Sequence, residues 1–132
     1  FKEAYQQYVD GGWTGMTHPK ELGGQNLPYS LGSVMAEWFS SANHSWAMYP
    51  GLSQGCMETL KEHGTPQQQK MFLNNLVGGQ WTGTMCLTEP HCGSDLGMLK
   101  CKAVKNDDGT YSLTGTKIFI SAGEHDMSDN IV

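Results

Sequence analysis

The 132 residues carry a formal charge of −5, with eight Lys and Arg against thirteen Asp and Glu. That balance excludes the clustered basic face of a nucleic-acid-binding domain, and no apolar run approaches the roughly 20 residues of a membrane-spanning helix. The length suits one domain with a moderate core. Phe1 opens inside a helical pattern and Ile131-Val132 closes in an apolar run, so the chain reads as part of a longer protein. No signal peptide is visible. Cys56, Cys86, Cys92 and Cys101 form no Cys-x-x-Cys pair, which points away from a zinc site or redox dithiol and toward reduced thiols in a cytoplasmic protein.

In chain order, Phe1 to Val9 reads as a helix tail with Tyr5, Tyr8 and Val9 on one face, broken by Gly11-Gly12. Residues 13–29 hold Gly15, Pro19, Gly23, Gly24 and Pro28 and read as a loop. Leu31, Val34, Met35, Trp38, Phe39 and Ala42 follow helical spacing behind Ser30 as N-cap. Trp38, Phe39, Trp46 and Met48 are read as helix core rather than as a cofactor box. A second helix is expected from about Gly51, with Leu52, Cys56, Thr59 and Leu60 inward, ending at Gly64. Thr65-Pro66-Gln67-Gln68 carries the signature of a capping box with proline at the first helical position. That helix is expected to reach about Leu76 before Gly78-Gly79.

The remainder reads as strands. Trp81 to Thr88 alternates bulky apolar with small polar residues, and Leu99 to Lys105 alternates again. Asn106 to Gly109 is a turn, followed by strands at Tyr111–Thr114 and Lys117–Ser121. The pattern predicts an α+β layout with a junction near residue 79.

Leu87-Thr88-Glu89-Pro90-His91-Cys92-Gly93-Ser94-Asp95 is the most informative stretch. A strand ending in a small-residue turn presents backbone N–H groups, hydroxyls and little bulk. That combination suits the edge of a flavin ring and a pyrophosphate. The plain alternative is an ordinary strand-to-loop turn. The five histidines show no metal-ligand spacing and read as solvated or packed, with His91 set apart by its place in the turn.

Wider wording makes the reading specific. Pro19-Lys20-Glu21-Leu22-Gly23-Gly24-Gln25, Gly64-Thr65-Pro66-Gln67-Gln68-Gln69-Lys70, Cys86-Leu87-Thr88-Glu89-Pro90 with Gly93-Ser94-Asp95, and Gly115-x-Lys117-x-Phe119-Ile120-Ser121 occur in order. In these motifs the chain resembles the acyl-CoA dehydrogenases over nearly its whole length. His91–Gly97 and Ile120–Asp126 are most similar to one subgroup of that family, whose substrate is 3-methylmercaptopropionyl-CoA. Cys92, Met98, Phe119 and Ser121 depart from the family's commoner Ala or Gly, small residue, Trp and Thr. Phe119 and Ser121 keep an aromatic face and a hydroxyl.

The resemblance implies the end of an all-helical N-terminal domain (1–78), then the first antiparallel strands of a β-barrel-like middle domain (79–132). It implies FAD as cofactor, contacted by Met85, Cys86, Leu87, Thr88, Gly93, Ser94, Phe119, Ile120 and Ser121. Thr88 and nearby N–H groups would meet the pyrimidine end of the ring, and Gly93 would admit close backbone approach. Ser94 would meet the pyrophosphate and the CoA side of the substrate. Phe119 would lie against the ring, with Ser121 near N5. The plain alternatives are a turn-capping hydroxyl for Thr88, a turn glycine at Gly93, a local bond with Asp95 for Ser94 and strand core for Phe119.

Glu89 is read as structural, and the base as a glutamate of a C-terminal helical domain outside these residues. The implied activity is α,β-desaturation of an acyl-CoA, with these 132 residues alone inactive. An electron-transfer flavoprotein is the implied acceptor, and a dimer or tetramer in the bacterial cytoplasm the implied state. The alternatives are an acyl-CoA oxidase or flavin monooxygenase on the same scaffold, and a non-catalytic flavin-binding module.

Overall fold

A computed structural model describes all residues, 1–132. The chain divides into two compact units: residues 1–85 with 121–132, and residues 86–120.

The larger unit is built on three helices. Helix α1 spans Lys2–Asp10 and buries Tyr5 and Tyr8, three residues apart on one face. The Tyr8 ring meets Phe39 and Trp46 edge-on, with centroids 5.3 and 5.4 Å away. Met16, Met35 and Met127 complete this cluster. The Tyr5 hydroxyl donates to the Gly79 carbonyl (3.1 Å), and burial pushes its pKa up to about 12. Residues 13–28 form the expected loop, with one short 3₁₀ turn at Lys20–Leu22. His18 is fully buried there: its Nε2 lies 2.8 Å from Gln54 Oε1, and Gln54 Nε2 donates to the Thr14 carbonyl.

Helix α2 spans Tyr29–His63 and breaks at Asn43, whose φ of −161° and ψ of 95° are not helical. This corrects the sequence reading in two ways. Pro28, not Ser30, precedes the first turn. The second segment begins at Asn43 rather than Gly51, because the Asn43 side chain accepts the Trp46 N–H (3.0 Å) and acts as its N-cap. Pro50 therefore lies inside a helix. The buried stripe is also rotated from the one expected. Met35 and Phe39, four residues apart, face the core, whereas Trp38 lies about 100° further round the helix and is 65% exposed. Leu31, Val34 and Met48 are exposed as well. Past the break, Ser53 and Met57 are buried and Thr59 is exposed.

Helix α3 spans Pro66–Val77 with the full capping box: the Gln68 N–H donates to the Thr65 hydroxyl, and the Thr65 N–H to the Gln68 side chain. Leu73, Leu76 and Val77 pack with Met57 as a second core. Strand β1 is only Trp81–Thr82, and it pairs in parallel with β4 (Asn130–Ile131) rather than antiparallel. The Gly83 N–H donates to the Ser53 hydroxyl, and Thr84 continues toward Val132 and Ser121.

The smaller unit holds one antiparallel pair, β2 (Lys102–Lys105) with β3 (Tyr111–Thr114), around the expected Asn106–Gly109 turn. Residues 83–88 and 117–121 are not ladder strands, contrary to their alternating sequence. A single backbone bond joins them within this unit, from Ile118 N–H to Thr88 carbonyl (2.9 Å). Phe119 adopts φ 57°, which ends an extended run.

Candidate functional site

In the smaller unit, the turn after Leu87 is built around a buried carboxylate. Glu89 and Cys92 exchange backbone hydrogen bonds of 2.8 and 3.1 Å across the turn, which carries Gly93 and Ser94 out of it. The Glu89 side chain is 2% exposed. Its Oε1 accepts from Lys117 Nζ (2.8 Å) and the Cys101 N–H (3.0 Å), and its Oε2 from the Lys100 N–H (2.8 Å). The Lys117 bond, foremost, and the backbone N–H groups hold this carboxyl far below the ordinary carboxylate range. A carboxylate engaged in this way is not free to take a proton from a substrate, which agrees with the structural role read from the sequence. The same contact raises the Lys117 pKa, and hydrogen bonding to Glu89 raises that of the Cys101 thiol. Gly115 runs so close to Cys101 that a Cβ there would collide with its side chain.

Lys117 Nζ also donates to the Leu87 carbonyl (2.9 Å). The carbonyls of Leu87 and Thr88 are thus both engaged, by residues 117 and 118. The N–H groups of Cys86, Leu87, Thr88, Gly93 and Ser94 have no acceptor in the chain, and neither has the Thr88 hydroxyl a partner. A Cβ at Gly93 would lie 3.1 Å from the Thr88 Cγ2, so only glycine leaves that side of Thr88 open. Ser94 is exposed and makes no bond to Asp95, whose carboxylate instead takes the Gly97 N–H (3.1 Å). Phe119 is 83% exposed, so it is not strand core, and Ile120 is 42% exposed. These are the properties of a ligand surface: free donors, little steric bulk and an unburied aromatic ring.

Two candidate residues belong to the larger unit. Met85 is 53% exposed. Ser121 is exposed, and its carbonyl accepts from the Thr84 hydroxyl (2.6 Å), leaving its own hydroxyl without a partner. That unit also holds a cavity of about 400 Å³ whose apolar wall includes Trp13, Met16, Met35 and Phe39, with Gln54 and Glu58 among its polar lining.

Glu89, His91 and Cys92 bring one potential ligand atom each to within 4.8 Å of one another. Hydrogen bonding leaves a metal at most the Cys92 thiol and the other ring nitrogen of His91. His91 Nε2 lies 2.9 Å from the Met98 carbonyl, which can only accept, so Nε2 carries a hydrogen rather than a free lone pair. Glu89 is already occupied.

Sequence reasoning left Lys117 without a role, although it lies inside the quoted Gly115–Ser121 motif. A lone lysine two residues from an aromatic gives no local sign of a partner 28 positions away. Asn43 was missed too. Its signal, a capping side chain three residues before Trp46, was hidden by the continuous helical spacing before it.

Residues 1–80 match the family model for the acyl-CoA dehydrogenase N-terminal domain. The chain belongs to the acyl-CoA dehydrogenase family. Over all 132 residues it is 48% identical to 3-methylmercaptopropionyl-CoA dehydrogenase of Ruegeria pomeroyi, and it spans 22% of that protein's length. It is 32% identical to the solved butyryl-CoA dehydrogenase of Megasphaera elsdenii, with a TM-score of 0.84 over 93% of this chain and 33% of that one. An acyl-CoA dehydrogenase of Bacillus anthracis, solved in complex with FAD, is 31% identical with a TM-score of 0.75. There the match covers 88% of this chain and 20% of the other.

Proposed function

We propose that the chain is the part of an FAD-dependent acyl-CoA dehydrogenase running from an N-terminal helical domain (1–78) into the first part of a middle β domain (79–132). The observation that carries the reading is the set of unpartnered N–H groups at Cys86–Thr88 and Gly93–Ser94, in a motif with the family's wording. Met85, Cys86, Leu87, Thr88, Gly93, Ser94, Phe119, Ile120 and Ser121 are the proposed FAD contacts, with Ser94 also on the substrate side. When bound, the flavin supplies acceptance of the substrate's β-hydride during α,β-desaturation. The chain's own N–H groups and the Thr88 hydroxyl stabilise negative charge where it develops on that cofactor. Glu89 is held by Lys117 and two N–H groups and is not offered as the α-proton base; the family resemblance implies a glutamate of a C-terminal helical domain for that role.

The proposed substrate is 3-methylmercaptopropionyl-CoA, supported by the wording of His91–Gly97 and Ile120–Asp126 and by the 48% identical relative. A thioether is apolar and polarizable, and one methylene is worth only about 1–3 kcal/mol of discrimination, so butyryl-CoA is expected as a poorer substrate. Electrons pass in this reading to an electron-transfer flavoprotein, and the enzyme is a cytoplasmic dimer or tetramer. The test is kcat/KM of the full-length protein on butyryl-, octanoyl-, palmitoyl- and 3-methylmercaptopropionyl-CoA, with FAD content measured alongside. The short chains are expected to lead. A preference for palmitoyl-CoA defeats the substrate assignment, and fast reoxidation by oxygen favours an oxidase.

A further inference from the structure

We infer that Lys117 is a positioning residue of the proposed flavin site, setting the Leu87-Thr88 edge in place through Leu87's carbonyl. The inference rests on the flavin reading and goes beyond it, since Lys117 is not one of the proposed contacts. Residues 86–88 have no ladder partner in their unit to fix their orientation. Two interactions do so instead. Ile118 N–H donates to the Thr88 carbonyl (2.9 Å), and Lys117 Nζ donates to the Leu87 carbonyl (2.9 Å).

With both carbonyls spent on residues 117 and 118, what the edge still offers is its N–H groups and the Thr88 hydroxyl. Those are the groups a negatively charged ring edge needs. An ammonium group can serve several acceptors at once because it has three hydrogens on a long stem. Here Glu89 Oε1 takes one at 2.8 Å. Glu89 is itself immobilised by the Lys100 and Cys101 N–H groups, so the ammonium cannot drift from Leu87 without leaving a buried carboxylate unpaired. The same side chain that holds residue 87 precedes Phe119 by two positions, so both proposed flavin segments share this anchor.

The test uses the full-length protein that contains this chain, with Lys117→Met, Lys117→Arg and Glu89→Gln compared with wild type. The readouts are FAD dissociation constant, midpoint potential of the bound flavin, visible absorption band shape, and kcat against KM. Lys117→Met is expected to weaken FAD binding roughly tenfold or more, the effect of one lost charge-assisted hydrogen bond. It should also shift the potential and lower kcat more than it raises KM. Lys117→Arg is expected to recover part of each, and Glu89→Gln to give a smaller change in the same direction.

Unchanged affinity, potential and spectrum in Lys117→Met overturn the inference. If Lys117→Met does not fold, Lys117→Arg and Glu89→Gln decide: an unchanged potential and spectrum in both overturn it, and a shift in either upholds it. A wild-type protein that binds no FAD overturns the flavin reading first, which separates that failure from a failure at Lys117.

Discussion

The His125 ring donates from Nε2 to the Thr82 hydroxyl at 3.1 Å, linking residues 43 positions apart in the larger unit. The direction follows from the other nitrogen, since the Met127 N–H donates to Nδ1 (3.2 Å) and the proton of the neutral ring must sit on Nε2. Thr82 then donates to Ser128 Oγ (2.8 Å), and Ser128 to the Asn130 carbonyl (3.0 Å). Burial lowers the His125 pKa below its ordinary 6.5, against a smaller opposing effect of Asp126. A lowered histidine pKa means that the folded state favours the neutral ring. Its contribution is complete above pH 6.5 and is lost as pH falls through the depressed value. Unfolding free energy of the larger unit is therefore expected to decline from pH 7 to 5. Substituting His125→Gln should flatten that decline, as read by urea titration at each pH.

Glu89 gives a second acid dependence, in the smaller unit. Its folded pKa lies below the ordinary 4.5, so its ionised form stabilises the fold. That contribution is full above 4.5 and fades as pH falls toward the depressed value. Glu89→Gln should destabilise residues 86–120 at pH 7 and have less effect near pH 3. Amide exchange at Lys100 and Cys101, whose N–H groups Glu89 accepts, is the local measurement. Exchange as slow in the variant as in wild type at pH 7 would show the pair to be dispensable.

Gly93→Val places methyl groups against Thr88, where even a Cβ comes to 3.1 Å. In the full-length protein it is expected to give largely FAD-free enzyme. Thr88→Val should keep the fold and cost about 1–2 kcal/mol of flavin binding for one hydrogen bond. Absorbance at the flavin band against protein concentration checks both. Full, spectrally unchanged FAD in both variants would remove this turn from the cofactor's surroundings.

Leu76→Ala should cost about 2–5 kcal/mol, as expected for a fully buried leucine in a packed core, since Leu76 is 1% exposed among Met57, Leu73 and Val77. Asn43→Ala should cost about 1 kcal/mol through the lost cap. Thermal melts compare the two. Equal small shifts would mean that the second cluster is not a core in energetic terms.

Much of this architecture is legible in local sequence because its determinants are local. The Thr65-Pro66-Gln67-Gln68 capping box forms from groups three residues apart. The Asn106–Gly109 turn sets the register of β2 and β3 in the same way. Tyr5 and Tyr8 declare their face by spacing alone. The candidate turn at Glu89–Ser94 is equally local, because its bulk, hydroxyls and glycine are properties of consecutive residues.

Strand pairing and helix facing are not local. Trp81–Thr88 and Lys117–Ser121 alternate as strands do, yet only Trp81–Thr82 finds a ladder partner, the distant Asn130–Ile131. Alternation records a tolerance for extended backbone, whereas a ladder needs another chain segment alongside. Trp38 has helical spacing with Val34 and Met35 but faces outward, because Tyr8 and Trp46 choose which part of the stripe is covered. The sequence by itself determined the Thr65 capping box, the Asn106–Gly109 turn and the chemical character of the flavin-like motif, each from groups within a few residues. Only tertiary structure decided that Glu89 is spent on Lys117 and that His125 is held on Thr82. A side chain's partner across 28 or 43 positions depends on where the chain returns, and residue spacing does not encode that.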